Sequence, residues 1–167
     1  IAGGTLTITS NGYISDAAWN DVILIGGAVN NQGTVYANND LDIFAGTLTN
    51  HYGGDFWAGN DLTIIAANIY GDGAEGGAHF DAGNNITAQV TGNITFDNHA
   101  HFYAGNNISA EVAGNITLDH GAYFEAINDV GYKVGEVVYP IALLGSTSTL
   151  SLSNGAYILA NSTDTIR

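Results

Sequence analysis

Apolar and polar residues alternate along most of this chain, and the alternating pattern itself recurs about every 22 residues. The two clearest copies are DAGNNITAQVTGNITFDNHAHF at 81–102 and YAGNNISAEVAGNITLDHGAYF at 103–124. Alternation with a period of two residues is typical of β-strands, and no helical period of 3.6 residues competes with it. Self-similarity at a fixed period of this length indicates a repeat architecture. The pattern therefore predicts an all-β repeat protein.

Equivalent residues form columns when the copies are aligned on one asparagine in each. An alanine precedes this asparagine by two residues, an aliphatic residue follows it by two, and a phenylalanine precedes it by four in most copies. Such a repeat is too long for one hairpin and too regular for a β-sandwich, and it fits one coil of a parallel β-helix with strands roughly 4.8 Å apart. We therefore predict a parallel β-helix of about seven coils.

Two of the columns are predicted to hold the coils together. The phenylalanines should stack inside the helix. The asparagines should occupy a turn, where Asn tolerates a positive φ and its amide can hydrogen-bond the copies above and below. We call these two columns the asparagine file and the phenylalanine file. The asparagine file is Asn39, Asn60, Asn84, Asn106 and Asn128, and the phenylalanine file is Phe56, Phe80, Phe102 and Phe124.

The chain is predicted to form one β-helical domain over residues 1–167, cut from a longer protein or stacked on copies of itself. Regular coils cover 1–128 and a final coil covers 147–167. Residues 127–146 are predicted to be an irregular insertion, because this segment contains Pro140 and a continuous apolar run. Lys133 and Tyr139 in it are candidate binding residues, since the insertion departs from the repeat without an obvious packing need.

The charge of the chain narrows the choice of partners. Sixteen acidic residues face two basic ones, which gives a formal net charge of −14, and there is no cysteine. Nucleic acids and anionic membranes are recognised mainly through Lys and Arg, so neither is an expected partner. No apolar run approaches the ~20 residues that span a bilayer, so no membrane insertion is expected.

Aspartates follow the marker asparagine in several coils, at Asp21, Asp40 and Asp61. Stacked carboxylates roughly 5 Å apart repel one another unless backbone donors or a cation neutralise them. We expect hydrogen-bonded capping of the turn by these side chains. A row of weak Ca²⁺ sites is the alternative, and no other cofactor is expected.

Residues on either side of the phenylalanine column should point outward together. The simplest interpretation is a solvated surface. The alternatives are a patch that contacts a glycan or a protein partner, and a metal site formed by His79, Asp81 and His101. The candidate binding residues of this face are Trp57, His79, Asp81, His101, Tyr103 and Tyr123.

Catalysis finds little support in the sequence, and no enzymatic activity is expected. There is no G-x-S-x-G nucleophile motif. A β-helical uronate lyase would need basic residues beside its substrate, and the chain has only Lys133 and Arg167. Two outward carboxylates such as Asp81 and Glu125 leave a glycosidase open.

The stretch NNQGTVYANNDLDIFAGTLTNHYGGDFWAGNDLTI at 30–64 resembles the haemagglutinin-type repeats of filamentous haemagglutinins. These are large exoproteins of bacterial two-partner secretion, a group that includes contact-dependent growth inhibition effectors. The resemblance covers most of residues 1–128. It implies a right-handed parallel β-helix, export to the surface of a Gram-negative cell, and an adhesive or toxin-presenting stalk.

The partners implied are a receptor or glycan on a host or neighbouring cell. Two other functions stay open. One is a polysaccharide-binding or polysaccharide-cleaving β-helix. The other is a subunit that assembles end to end into an extracellular filament, because an uncovered terminal coil exposes unpaired strand edges.

Overall fold

A computed structural model describes residues 3–16, 18, 20–73, 76–134 and 149–160 of the chain, with the backbone alone for 132–134. These residues form seventeen short strands and no helix. The strands are β1 (Thr5–Ile8), β2 (Tyr13–Ser15), β3 (Val22–Asn31), β4 (Thr34–Ala37), β5 (Leu41–Asn50), β6 (Asp55–Ala58), β7 (Leu62–Gly71), β8 (His79–Ala82), β9 (Ile86–Val90), β10 (Ile94–Phe96), β11 (His101–Ala104), β12 (Asn107–Val112), β13 (Ile116–Leu118), β14 (Tyr123–Ala126), β15 (Asp129–Val134), β16 (Leu150–Leu152) and β17 (Tyr157–Ala160).

The strands stack into two parallel sheets that wind around one core. The larger sheet has ten strands and follows the order β1-β3-β5-β7-β10-β13-β16, with β9, β12 and β15 beside this path. The smaller sheet has seven strands in the order β17-β14-β11-β8-β6-β4-β2. Non-consecutive strands are neighbours because each coil returns to lie on the one before it. The prediction of an all-β parallel helix is confirmed, with about six turns where seven were predicted.

The long strands of the larger sheet contain a corner. In β3, Val22, Leu24 and Gly26 are buried, and the inward phase then shifts to Val29 and Asn31. Strand pairing passes from Gly26–Ala45 to Ala28–Thr47 and leaves out the residue between them. That residue in β5 is Gly46, where a Cβ would collide with the carbonyl of Gly27. Glycine therefore lets successive corners stack directly on one another.

Phenyl rings fill the core beneath the smaller sheet. Phe56, Phe80, Phe102 and Phe124 lie opposite one another in β6, β8, β11 and β14. Their ring centroids are 5.4, 5.3 and 4.9 Å apart in that order. All four are fully buried. Each such pair adds roughly 0.5–1.5 kcal/mol beyond the burial of its surface.

The predicted insertion begins later than residue 127. Strand β15 pairs in register with β12, from Asn107–Asp129 to Val112–Val134, so the repeat continues through residue 134. Lys133 lies in this strand opposite Glu111. Tyr139 and residues 135–148 lie outside the described part of the chain, as do 161–167. The final coil returns in register, because β16 pairs with β13 and β17 pairs with β14.

No helix of the described residues is long and apolar enough to cross a membrane.

Candidate functional site

The asparagine file lies at one corner and links successive coils by hydrogen bonds. The Asn60 backbone N–H donates to the Asn39 carbonyl at 2.9 Å, and Asn84 donates to Asn60 in the same way at 2.9 Å. The side chain of Asn106 donates to Asn85 Oδ1 at 3.0 Å, and that of Asn128 donates to Asn106 Oδ1. None of these asparagines has the positive φ that was expected; among described residues other than glycine, positive φ is found at Asn98, His99, His120 and Asn154.

Asp21, Asp40 and Asp61 accept hydrogen bonds from the following coil. Asp21 Oδ1 accepts from Asn39 Nδ2 at 2.8 Å, and Asp40 Oδ1 accepts from Asn60 Nδ2 at 2.7 Å. Asp61 Oδ1 accepts from Asn84 Nδ2 at 2.9 Å and from the Asn85 backbone N–H at 3.0 Å. Because amide donors neutralise part of each negative charge, the three aspartates can stack in successive coils without a bound cation. Ca²⁺ binding at these aspartates stays the untested alternative.

The outward face of the smaller sheet carries two files of aromatic rings. Tyr36 and Trp57 stack with centroids 4.5 Å apart and planes 5° from parallel. In the other file, His101 stacks on Tyr123 at 4.5 Å, and Tyr123 stacks on Tyr157 at 4.9 Å. The rings cover one another's faces, so these files join coil to coil. Tyr103 is the more open of the predicted aromatic residues, at 38% exposure.

The structure brings His79, Asp81 and His101 together. His101 Nε2 is 3.2 Å from Asp81 Oδ1, and the two imidazole rings lie 4.6 Å apart. His101 was expected to be solvated, and this is wrong: it is 8% exposed, because His79 and Tyr123 cover its two faces. Sequence analysis missed Asp55, whose Oδ1 lies 3.0 Å from His79 Nδ1. It stands opposite His79 in the preceding coil.

The pKa values of His79, Tyr123 and Tyr157 on this face are raised above their ordinary values. The pKa of His79 is raised, first by its contact with Asp55, against an opposing effect of burial; the carbonyl of Gly76 and the charges of Asp55 and Asp81 add to the increase. Burial raises the pKa of Tyr123 to about 12, helped by the neighbouring Tyr157 and by the charges of Asp81 and Glu125. The nearby carboxylates of Asp55, Asp81 and Glu125 thus add to the preference of His79 and Tyr123 for their protonated forms.

A second polar cluster joins the turns before β11 and β14. His120 Nδ1 lies 2.7 Å from Asp97 Oδ1 and 3.4 Å from Asp119 Oδ2. Hydrogen bonds from Ser153 and Asn154 lower the pKa of Asp119. Sequence analysis did not single out this cluster, although Asp97 and Asp119 occupy equivalent positions in the two clearest copies.

Among the described residues, two asparagines are buried in the core, and neither was predicted to lie there. Asn31 Nδ2 donates to Asn50 Oδ1 at 3.0 Å. Asn50 Nδ2 donates to the carbonyls of Gly54 at 2.9 Å and His79 at 2.8 Å. Both asparagines have 0% exposure. Their amides serve backbone groups at the turn into the smaller sheet and have a structural role.

A comparison with curated proteins gives a partial match to a far longer bacterial protein. Over 68 residues the chain is 38% identical to tRNA nuclease CdiA of Escherichia coli (strain STEC_O31), and the match covers 38% of this chain. The match spans 2% of the length of that relative. No family model matches the chain, and no solved structure matches it. The chain is thus a β-solenoid with similarity to a small part of CdiA, and the type of repeat is not assigned by these matches.

Proposed function

We propose that this chain is a non-enzymatic stalk segment of a very long protein exported to the bacterial surface. The observation that carries the proposal is the register of the coils. Each strand of the smaller sheet lies residue for residue on the next, and the same apolar columns continue through every coil. Such a structure lengthens by adding coils and needs no closed domain around it.

Two further observations support a role in a stalk. The partial similarity to CdiA places a related sequence inside a protein many times longer than this chain. Polar side chains of the repeat form hydrogen bonds from one coil to the next, as those of Asp40 and Asp61 do. Secretion and surface location are inferred from this similarity and from the resemblance of residues 30–64 to filamentous haemagglutinin repeats.

The name of the relative describes a tRNA nuclease, and that activity belongs to the relative. A match over 2% of its length gives no ground for placing the nuclease here. We therefore expect the purified chain to leave tRNA intact.

Solution scattering and activity assays on the purified chain test the proposal. A stalk segment should grow along its axis when coils are added, so inserting four further copies of residues 81–102 should lengthen it by roughly 19 Å, at about 4.8 Å per coil. A scrambled insert of equal length is the control. A compact particle that does not lengthen, or cleavage of tRNA or of polysaccharides, would reject the stalk function.

Adhesion is a second candidate function, favoured by the surroundings of Tyr103. Tyr103 is partly exposed, and the residues opposite it in the neighbouring coils are Asp81 and Glu125. An open aromatic ring flanked by hydrogen-bond acceptors offers the contacts that a sugar or a receptor loop needs. The test is binding of the chain to a glycan array and to whole host or bacterial cells. Tyr103→Ala should abolish binding, and Tyr52→Ala, at another exposed tyrosine, should not. Absence of binding by the unmodified chain would eliminate adhesion.

A further inference from the structure

The outward face of the smaller sheet holds a compact group of metal-binding side chains. His79 and Asp81 are two residues apart on β8, so both side chains leave the same face. His101 lies opposite His79 on β11. One ligand atom from each of the three residues lies within 4.8 Å of the other two. We propose that His79, Asp81 and His101 bind a divalent transition-metal ion of the zinc class.

The hydrogen bonds of the two histidines fix which nitrogen is available. His79 Nε2 lies 2.6 Å from the carbonyl oxygen of Gly76, and His101 Nδ1 lies 3.2 Å from that of His99. A carbonyl oxygen only accepts, so each of these nitrogens carries a hydrogen. The other nitrogen of each neutral ring, His79 Nδ1 and His101 Nε2, therefore has a free lone pair. A ring N–H donated to a backbone carbonyl is the arrangement that orients histidine ligands in metal sites.

Both lone pairs are directed at carboxylate oxygens. His79 Nδ1 is 3.0 Å from Asp55 Oδ1, and His101 Nε2 is 3.2 Å from Asp81 Oδ1. Two lone pairs at these distances repel unless a positive charge lies between them. A proton relieves one nitrogen–oxygen pair at a time. A metal ion between His101 Nε2 and Asp81 Oδ1 relieves the repulsion there, and rotation of the partly exposed His79 ring turns its Nδ1 from Asp55 to the same ion.

The donor set selects the class of metal. Two imidazoles and a carboxylate suit zinc and its neighbours in the first transition row, whereas Ca²⁺ and Mg²⁺ prefer oxygen donors alone. Ligand atoms around tetrahedral Zn²⁺ lie roughly 3.3 Å apart, given Zn–N distances of about 2.0–2.1 Å. Rotations of partly exposed side chains close the remaining gap. The fourth position is left to water or to Asp55, which lies beside His79.

The fold holds these ligands on a rigid support. Phe80 lies between His79 and Asp81 in sequence and points into the core, where its ring is fully buried. The His101 side chain is 11% exposed, whereas those of Asp81 and His79 are 26% and 37% exposed. The site thus has a buried ligand at its base and an opening to solvent through which an ion enters.

Titration of the tag-free 167-residue chain with Zn²⁺ and Co²⁺ at pH 7.5 tests the proposal. Calorimetry should give one Zn²⁺ per chain, and Co²⁺ should produce the visible absorption of a tetrahedral nitrogen–oxygen site. His79→Gln, Asp81→Asn and His101→Gln should each weaken Zn²⁺ binding more than tenfold. His51→Gln, which removes a histidine paired with Asp72 outside the group, should leave it unchanged.

Circular dichroism checks that the variants fold. If the variant at the buried His101 does not fold, the variants at the partly exposed His79 and Asp81 still test the proposal. Absence of Zn²⁺ binding at 1 mM would overturn the proposal. So would equal binding by His79→Gln, Asp81→Asn and the unmodified chain. Loss of binding in His120→Gln would also overturn it, since that result would place the ion at the cluster of Asp97, Asp119 and His120.

Discussion

Gly71 occupies an inward position where the neighbouring coils carry Asn50 on one side and Phe96 on the other. A Cβ at Gly71 would lie 2.9 Å from both Phe96 Cδ1 and Ala100 Cβ. The missing side chain lets the Phe96 ring enter the phenyl core, where it lies 5.4 Å from Phe80 and 4.9 Å from Phe102. The absence of a side chain at Gly71 therefore allows Phe96 to pack against the phenylalanine file as a fifth ring.

We expect Gly71→Ala to lower the free energy of unfolding by about 1–3 kcal/mol, because the added methyl group overpacks the core. Urea denaturation followed by circular dichroism measures the effect. Gly131→Ala is the matched control, since the nearest atom to a Cβ there is the Ile108 carbonyl oxygen at 3.8 Å. Equal effects of the two substitutions would show that Gly71 is not needed for packing.

Asn50 is a polar residue in the same apolar interior, and its amide group makes three hydrogen bonds. Asn50→Ala should destabilise the chain by about 1–3 kcal/mol, because the Gly54 carbonyl, the His79 carbonyl and the Asn31 amide would lose a partner away from water. The comparison is Asn38→Ala, which removes an exposed hydrogen bond to the Tyr36 hydroxyl. Thermal unfolding of both variants should show a large shift for the first and almost none for the second. A reversed order would contradict this account of the buried amides.

At the scale of single elements, the polar corner joins strands that are distant in sequence. Asp61 precedes β7, and its Oδ1 accepts hydrogen bonds from Asn84 Nδ2, the Asn85 backbone N–H and Asn85 Nδ2, all before β9. Asp61→Ala should therefore cost about 1–3 kcal/mol of stability. Asp61→Asn keeps an acceptor oxygen and should cost less.

Amide hydrogen exchange locates the effect of Asp61, because loss of the acceptor should deprotect the Asn85 N–H before the amides of β9. Asp42→Ala, on the outward face of β5, controls for removal of a negative charge. If Asp61→Ala and Asp42→Ala changed stability equally, charge and not hydrogen bonding would be responsible.

Hydrogen bonds to the Asp119 side chain connect the last described coil to the coil before it. Asp119 Oδ1 accepts from Ser153 Oγ at 2.8 Å and from Asn154 Nδ2 at 2.6 Å. These donors lower the pKa of Asp119 below 3.8, so the stability they provide is present above that pH and is lost as the pH falls through the lower folded value. Ser153→Ala should raise the Asp119 pKa toward its ordinary value in a carboxyl NMR titration. Ser109→Ala, on β12, should leave it unchanged.

Periodicity predicted the columns well, because a repeat that stacks in register must place like residues above like. Periodicity could not predict that Phe96 packs with the phenylalanine file, because Phe96 belongs to a different column and reaches the file only through the space at Gly71. The buried Asn31 and Asn50 lie beyond the corner at Gly27 and Gly46, where the inward phase shifts, so simple alternation assigns them to the wrong face. The burial of His101 depends on rings from two other coils and has no local signal in the sequence.

Across the whole molecule, the path of the larger sheet ends at β1 and β16, and that of the smaller sheet at β2 and β17. Edge strands of this kind offer unpaired backbone groups to another chain. The net charge of −14 opposes such contacts between copies. End-to-end association stays a prediction, and sedimentation of the isolated chain over a range of concentrations measures it directly.

The same charge acts against the fold itself, because the chain has sixteen acidic residues and only two basic residues to balance them. We expect thermal stability at pH 8 to rise with salt, since screening shortens the reach of the repulsion from about 30 Å at 0.01 M to about 8 Å at 0.15 M. A gain of 1 kcal/mol would raise the Tm by roughly 2–4 °C for a chain of this size. NaCl and KCl should act alike, because screening depends on ionic strength and not on the identity of the cation. A Tm that falls with salt would show that repulsion between carboxylates is not the dominant electrostatic effect on the stability of the chain.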